Sequence, residues 1–256
     1  MLDLYHWEPN ANSLKVMICL AEKGLDYQSH YVDILEFEQY LPGFLVLNPF
    51  GQVPVLLHDG EVITESSLIL EYLAEAFPAR RLAPVDPNGW YDAQAWGKFV
   101  DYNLGPSVSS LGWHQVMTPI MKKRDQKKLR EAVDRIPIWE RKAAWMTAMG
   151  DTYSEDQLND SRRKIDLAVK RIEGTLGQSP WLQGADYSIV DIGAFALSCT
   201  LPRLLPEAVN ARKTPKTMDW LGRINARPAV KKVLAMRGKA GEKDVYAPGP
   251  EHSRWG

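Results

Sequence analysis

The sequence predicts an α/β domain at the N-terminus followed by an all-α domain. Three observations carry this reading. Between Leu2 and Leu73, strand-like and helix-like stretches alternate. A boundary then runs from Phe77 to Gly89, interrupted by Pro78, Pro84 and Pro87 and marked as exposed by Arg80-Arg81. From Trp90 onward only helical periodicity remains. The expected division is therefore 1–78, a linker at 79–89, a helical domain at 90–237 and a tail at 238–256.

The elements follow in order. Leu2 to Trp7 reads as a strand, and Glu8-Pro9-Asn10-Ala11-Asn12 as a turn. Ser13 then precedes an amphipathic helix from Leu14 to Lys23, closed by Gly24. Leu25 to Val32 is a second strand, and a short helix is expected around Phe37 to Phe44. Val53 to Leu57 and Val62-Ile63 form a hairpin across Asp59-Gly60, and a third helix starts at Leu68. This is a βαβ unit followed by ββα, the thioredoxin-like plan. A right-handed crossover puts the first helix N-terminus at the carboxyl ends of the parallel strands, where open α/β sheets bind ligands.

In the second part, Trp90 to Gly112 reads as a long helix with a break at Gly105-Pro106. Pro119 to Arg135 is a charged, solvated face, and Ile136-Pro137-Ile138 ends it. Helices are expected at Trp139–Met149 and Asp156–Leu176. In the second of these, Ile165, Ala168, Val169, Ile172 and Leu176 share one face. Ser188 and Asp191 fit a capping box before a helix from Ile192 to Leu201, which makes Asp191 structural rather than catalytic. Two more helices begin near Pro215 and Pro228. Gly238 to Gly256 is rich in proline, glycine and charge, and either lies across the site or is loose.

Composition narrows the function classes. With 256 residues, 45% hydrophobic, the chain can build a core of useful size. A net charge of −1 argues against a nucleic-acid or anionic-membrane partner. Two distant cysteines, Cys19 and Cys199, give no disulfide framework and suit a reducing, cytoplasmic setting. The five histidines show no metal-ligand spacing, so no metal is expected. The N-terminus has no signal-peptide pattern, and no apolar run approaches a membrane span. Nine tryptophans, most of them after residue 90, suit an apolar small-molecule pocket.

The stretch from Asn48 to Leu73 carries the ligand reading. Pro54 interrupts a strand pattern, so it belongs at a strand start, an edge, a bulge or a cis bond. A turned backbone at Val53 leaves its N–H and C=O free to pair with an extended peptide. Ser66 sits where a helix N-cap belongs, a ready carboxylate site, and Glu65 beside it suits an ammonium. Together these groups match a small zwitterionic peptide. Taken alone, Ser66 is an ordinary N-cap.

With its in-strand proline and Glu-Ser pair, this run resembles the glutathione-binding signature of the glutathione transferase family. The resemblance covers nearly the whole chain. It implies the glutathione transferase fold and glutathione as co-substrate. It also implies cysteinyl-backbone pairing at Val53 beside Pro54, a γ-glutamyl grip at Glu65 and Ser66, and a further contact at Gln52. Such an enzyme must keep the glutathione thiol ionised, and a thiol of pKa about 8.5 needs a donor or a helix N-terminus to achieve this. Ser13 is the first choice as donor, because its hydroxyl can work together with the helix dipole. Asn12 follows closely, its NH₂ being an equal donor. Tyr5 comes third. No cysteine stands at either position, so a mixed disulfide with the protein lacks a nucleophile there.

The stretch Ala11–Lys15 (ANSLK), the inserted segment around Ile136 to Gly150 and the tryptophan-rich helices are similar to the bacterial β-aryl etherases of lignin breakdown. That branch implies an aromatic dimer joined by a β-O-4 ether next to a ketone. Phe99, Trp113, Trp139 and Trp145, with His114, are the candidates for its aromatic slot, although any single one of the four aromatics, taken alone, reads first as helix–helix core. A disulfide-reducing or general detoxifying transferase would use the same residues, whereas a non-catalytic protein-interaction module predicts damage to the Glu65-Ser66 pair or to the donors of the first helix, and neither is damaged. Family members usually pair, which implies a homodimer.

Overall fold

The computed structural model describes residues 1–236 and 248–250. Four strands, β1 (Leu2–His6), β2 (Gln28–Tyr31), β3 (Val55–His58) and β4 (Glu61–Ile63), form one sheet in the order β2-β1-β3-β4. β1 pairs parallel with β2, and β3 pairs antiparallel with both β1 and β4. In register, Tyr5 faces His30 on one side and Val55 on the other. β3 begins at Val55, so Pro54 stands just outside the ladder, where its missing N–H costs nothing. The Val53–Pro54 bond is cis.

Helices interleave with the strands, and among the described residues only helices follow β4. The first three are α1 (Ala11–Lys23), the single-turn α2 (Pro42–Leu45) and α3 (Ser66–Ala76). Next come α4 (Pro87–Phe99), α5 (Gly105–Gly112) and α6 (Thr118–Met121). α4, α5 and α6 are joined by π-helical turns at Val100–Leu104 and Trp113–Met117. The break expected at Gly105-Pro106 is thus a widening rather than a stop. Pro106 and Pro119 each lack a donor and crowd the turn before them, and a π turn accommodates both effects. The charged stretch after Pro119 is only partly a solvated face. Within it, α7 (Gln126–Asp134) is capped by Asp125 and buries Leu129, Ala132 and Val133.

α8 (Trp139–Gly150) and α9 (Glu155–Leu176) complete the middle of the domain. Ser154 and Gln157 make a capping box for α9. α10 (Ile189–Ser198), α11 (Leu201–Leu204), α12 (Pro215–Ala226) and α13 (Pro228–Leu234) close it. Of the tail expected at 238–256, only Pro248–Pro250 lies within the described residues.

The Ser188–Asp191 box forms as the spacing predicts and does more than cap α10. Asp191 Oδ1 accepts from Leu182 N at 3.0 Å and from Trp220 Nε1 at 2.9 Å. Its Oδ2 accepts from Ser188 N at 3.1 Å. One fully buried carboxylate therefore ties α10, α12 and the 180s loop together. Burial raises its carboxyl, and these donors pull it back down.

Among the described residues two large hydrophobic clusters result, beside a small third one of Val32, Phe44 and Val55. One runs from Leu4 and the buried face of α1 through α3 into α9, α10 and α12, so sheet and helices share a core. The other packs Trp7, Phe37 and Tyr40 against Trp113, Met117 and Trp145. This second cluster holds the loop after β2 against the helices around α8 and so shapes one wall of the cleft described next.

Candidate active site

A cleft opens where the N-terminus of α1, the loop after β2 and the loop before β3 meet. Asn12 and Ser13 line it, as do Gln52, Val53 and Gly51. Trp7, Ile34 and Gln39 form another side, and Pro248 with Gly249 closes the last. The two donor candidates from α1 and the peptide-pairing candidates from the loop therefore share one cavity.

The start of α1 differs from the sequence expectation. The helix begins at Ala11, so Ser13 lies inside its first turn and is not the capping residue. The N-cap position falls to Asn10, which supplies no side-chain cap. Ala11 has φ of 44°, an uncommon left-handed value for a residue with a Cβ. The buried Ser13 hydroxyl accepts from Trp7 N at 3.2 Å, which leaves its own proton free to donate. Asn12 Oδ1 and Gln39 Oε1 are buried without a hydrogen-bond partner among the described residues. Orphaned buried polar atoms are costly, and two in one cleft mark a place built for a polar guest. Tyr5 stacks on the His30 ring at 4.4 Å and does not line the cleft.

The loop before β3 is held rigidly. Asn48 donates to Gln52 O at 3.0 Å and accepts from Phe50 N at 3.0 Å. Gly51 has φ of 62°, and a Cβ there would meet the Tyr40 ring at 2.3 Å, so only glycine fits. Val53 makes no backbone hydrogen bond among the described residues, and an added extended peptide can pair with it.

Glu65 and Ser66 stand at the start of α3. Glu65 occupies the N-cap position with φ of 64° and gives no side-chain cap, so Ser66 is the first helical residue rather than the cap. Below Ser66 lies the fully buried Lys15 of α1. Its Nζ meets Asp101 Oδ1 at 2.6 Å and Ser66 Oγ at 3.3 Å, and Ser67 Oγ donates to Asp101 Oδ2 at 2.6 Å. Asp101 comes from the first π turn. An uncapped helix N-terminus over a buried ammonium attracts a carboxylate.

Burial raises the Glu65 carboxyl; Arg141 lowers it, Asp101 raises it again and Lys15 lowers it. A raised carboxyl disfavours its own ionised form, so the free protein loses stability as pH rises through that value. A bound ammonium offsets this loss. Binding of an ammonium-bearing ligand should therefore weaken as pH falls through the Glu65 value, which lies above the ordinary 4.5. Titrating the dissociation constant of glutathione against pH should show this limb, and Glu65→Gln should abolish it. A limb unchanged in the variant would remove Glu65 from ligand binding.

The aromatic candidates lie elsewhere. Trp113 and Trp145 are packed in the second core cluster, with ring centroids 5.2 Å apart. Trp139 is 70% exposed. Phe99 packs on Trp96 and under the Arg171 guanidinium in the first cluster. His114 pairs with Asp151 at 2.7 Å. None of the five lines the cleft at Ser13. Trp113 still bears on it, because its Nε1 donates to Pro248 O at 2.8 Å while Ser109 Oγ donates to Gly249 O at 3.1 Å. The described part of the tail is thereby pinned into the cleft wall.

Sequence reading gave no role to Gln39, Lys15, Asp101 or Arg141. Lys15 carried the one available signal, a lysine on the apolar face of an amphipathic helix, which demands a partner. Burial pushes the Cys19 thiol up to about 12, so it does not act as a nucleophile. Among the described residues, no cluster of three or more His, Cys, Asp or Glu could hold a metal, and no helix is long and apolar enough to cross a membrane.

Comparison with known proteins gives consistent relationships. The family model of the glutathione S-transferase N-terminal domain matches residues 1–75, and that of the C-terminal domain matches residues 139–228. Protein LigF of Sphingobium sp. strain SYK-6 is 39% identical over 91% of this chain and 93% of its own. The crystal structure of beta-etherase LigF from that strain superposes with a TM-score of 0.86 at 38% identity, covering 92% of this chain and 99% of that one. A glutathione transferase from Burkholderia graminis, with two glutathione molecules bound per subunit, gives a TM-score of 0.69 at 26% identity, covering 93% and 89%. Glutathione S-transferase 3 of Zea mays is 28% identical over 91% of this chain and 93% of its own.

Proposed function

The chain belongs to the glutathione S-transferase family, and on that premise we propose that it cleaves β-O-4 aryl ethers of lignin-derived aromatic dimers with glutathione. The observation that carries the reading is similarity over nearly the full length to a protein whose solved structure is named a beta-etherase. The cleft is consistent with a tripeptide guest, since it offers orphaned polar atoms and an unpaired Val53 backbone.

Glutathione supplies a thiolate, which forms a C–S bond at the β-carbon as the C–O bond breaks and a phenolate departs. The adjacent ketone lowers the barrier to that displacement. Phenols have pKa of about 10, so the leaving group needs only modest assistance. The protein's own work is then to activate and align. Ser13 donates to the thiol sulfur, with Asn12 as the second donor, and the α1 N-terminus adds a positive field. Val53 and Gln52 hold the cysteinyl part in extended form, while Glu65 and Ser66 hold the γ-glutamyl end. Fixing one back-side path makes the reaction stereospecific, with inversion. The proposal includes a homodimer in the cytoplasm, supported by family membership.

The test is phenol release from a racemic β-aryl ether ketone, with and without glutathione, followed on a chiral column. Phenol that appears only with glutathione, with consumption halting near half, supports the reading. The two glutathiones per subunit in the Burkholderia structure favour disulfide reduction as a second reading. Turnover of glutathione disulfide or a generic aryl halide without phenol release would replace the etherase with that class.

A further inference from the structure

Arg141 stands out among the charged groups: it does not line the cleft, but it sits against the loop that supplies Gly51, Gln52 and Val53. It lies on α8, at the start of the stretch that the C-terminal-domain family model matches. The residue is only 6% exposed. Its Nη1 is buried and has no hydrogen-bond partner among the described residues. Among the described residues it forms no ion pair within 4.0 Å, and its Cζ lies 5.6 Å from the ring centroid of Phe50. Phe50 belongs to the loop that delivers Gly51, Gln52 and Val53 to the cleft. Arg141 also acts electrostatically on Glu65 at the other end of the candidate peptide site.

A buried guanidinium with an unmade hydrogen bond is expensive, because the desolvation of a charged donor goes unrepaid. The nearby cation, Lys15, shows the contrast: its ammonium is satisfied by Asp101, Ser66 and Ser67. A planar donor fork held over an aromatic face is shaped to receive a carboxylate, which takes two parallel N–H bonds. Glutathione has two carboxylates, one at the γ-glutamyl α-carbon and one at glycine. Both suit this chemistry.

We infer that Arg141 binds a carboxylate of glutathione, so that α8 completes the tripeptide site from the C-terminal half of the chain. The inference rests on glutathione as ligand and not on the ether as substrate. It makes Arg141 a binding residue rather than a catalytic one.

Calorimetric titration of the whole protein with S-hexylglutathione, which has no free thiol, separates binding from chemistry. Arg141→Gln should raise the dissociation constant about 10- to 100-fold, the range for loss of a charged hydrogen bond, and Arg141→Lys should restore part of it. Two analogues locate the carboxylate. The first carries a glycine amide and the second an amide at the γ-glutamyl α-carboxyl. The analogue lacking the partner group should bind the native protein weakly and lose nothing further in Arg141→Gln. Thermal melts confirm that each variant is folded. Equal affinity in native protein and folded Arg141→Gln would overturn the assignment while leaving glutathione as ligand. Equal further losses with both analogues would overturn it too, because Arg141 would then act on neither carboxylate. Failure of the native protein to bind S-hexylglutathione would instead remove the ligand reading and this assignment with it.

Discussion

Ser13→Ala is expected to lower kcat/KM for glutathione-dependent turnover on the order of 100-fold, the usual loss when a preorganised donor to a developing or stabilised anion is removed. The expectation follows from a hydroxyl that accepts from Trp7 N and so keeps its proton for the cleft. The bound glutathione thiol should titrate at higher pH in this variant, read from the ultraviolet absorbance of the thiolate. Asn12→Ala should have a smaller effect on both quantities. Asn12→Asp should raise the thiol value, since it places a negative charge beside the sulfur. Losing the acceptor for Trp7 N costs about 1 kcal/mol of stability, so the variant stays folded. Should Ser13→Ala leave the thiol titration unmoved while Asn12→Ala shifts it, the principal donor is Asn12.

Asp191→Ala should give the largest loss of stability. It leaves the N–H groups of Leu182 and Ser188 and the indole of Trp220 buried without acceptors. At roughly 1–3 kcal/mol for each of the three orphaned donors, the total is about 3–9 kcal/mol. At about 2–4 °C per kcal/mol for a chain of this size, the melting temperature should fall by roughly 6 °C or more. Circular dichroism melts read this directly. Glutathione affinity measured well below the transition should stay at the native value, because Asp191 touches nothing in the cleft. A melting temperature within about 2 °C of native would show that α10 and α12 are held by apolar packing alone.

These two residues show where sequence ends and tertiary structure begins. Asp191 was readable because a capping box is local: its spacing and the apolar helix after it define its role within four residues. The same holds for the hairpin at Asp59-Gly60, the alternation of strands and helices before Phe77, and the apolar stripe of α9, all set by periods of two or 3.6 residues. The run from Gln52 to Ser66 was legible because proline, glycine and helix-start residues constrain their own backbone. The start of α1 was not, because the left-handed Ala11 and the uncapped Asn10 are imposed by the elements around them. Trp113 and Trp145 have the chemistry of a pocket wall and of a core alike, and only burial in the second cluster distinguishes the two. Lys15 finds Asp101 at a separation of 86 residues, and Trp113 finds Pro248 at 135. Arg141 approaches a loop that precedes it by about as much. Local periodicity carries no information about such pairs, since they form only when burial of separate apolar faces brings distant segments together.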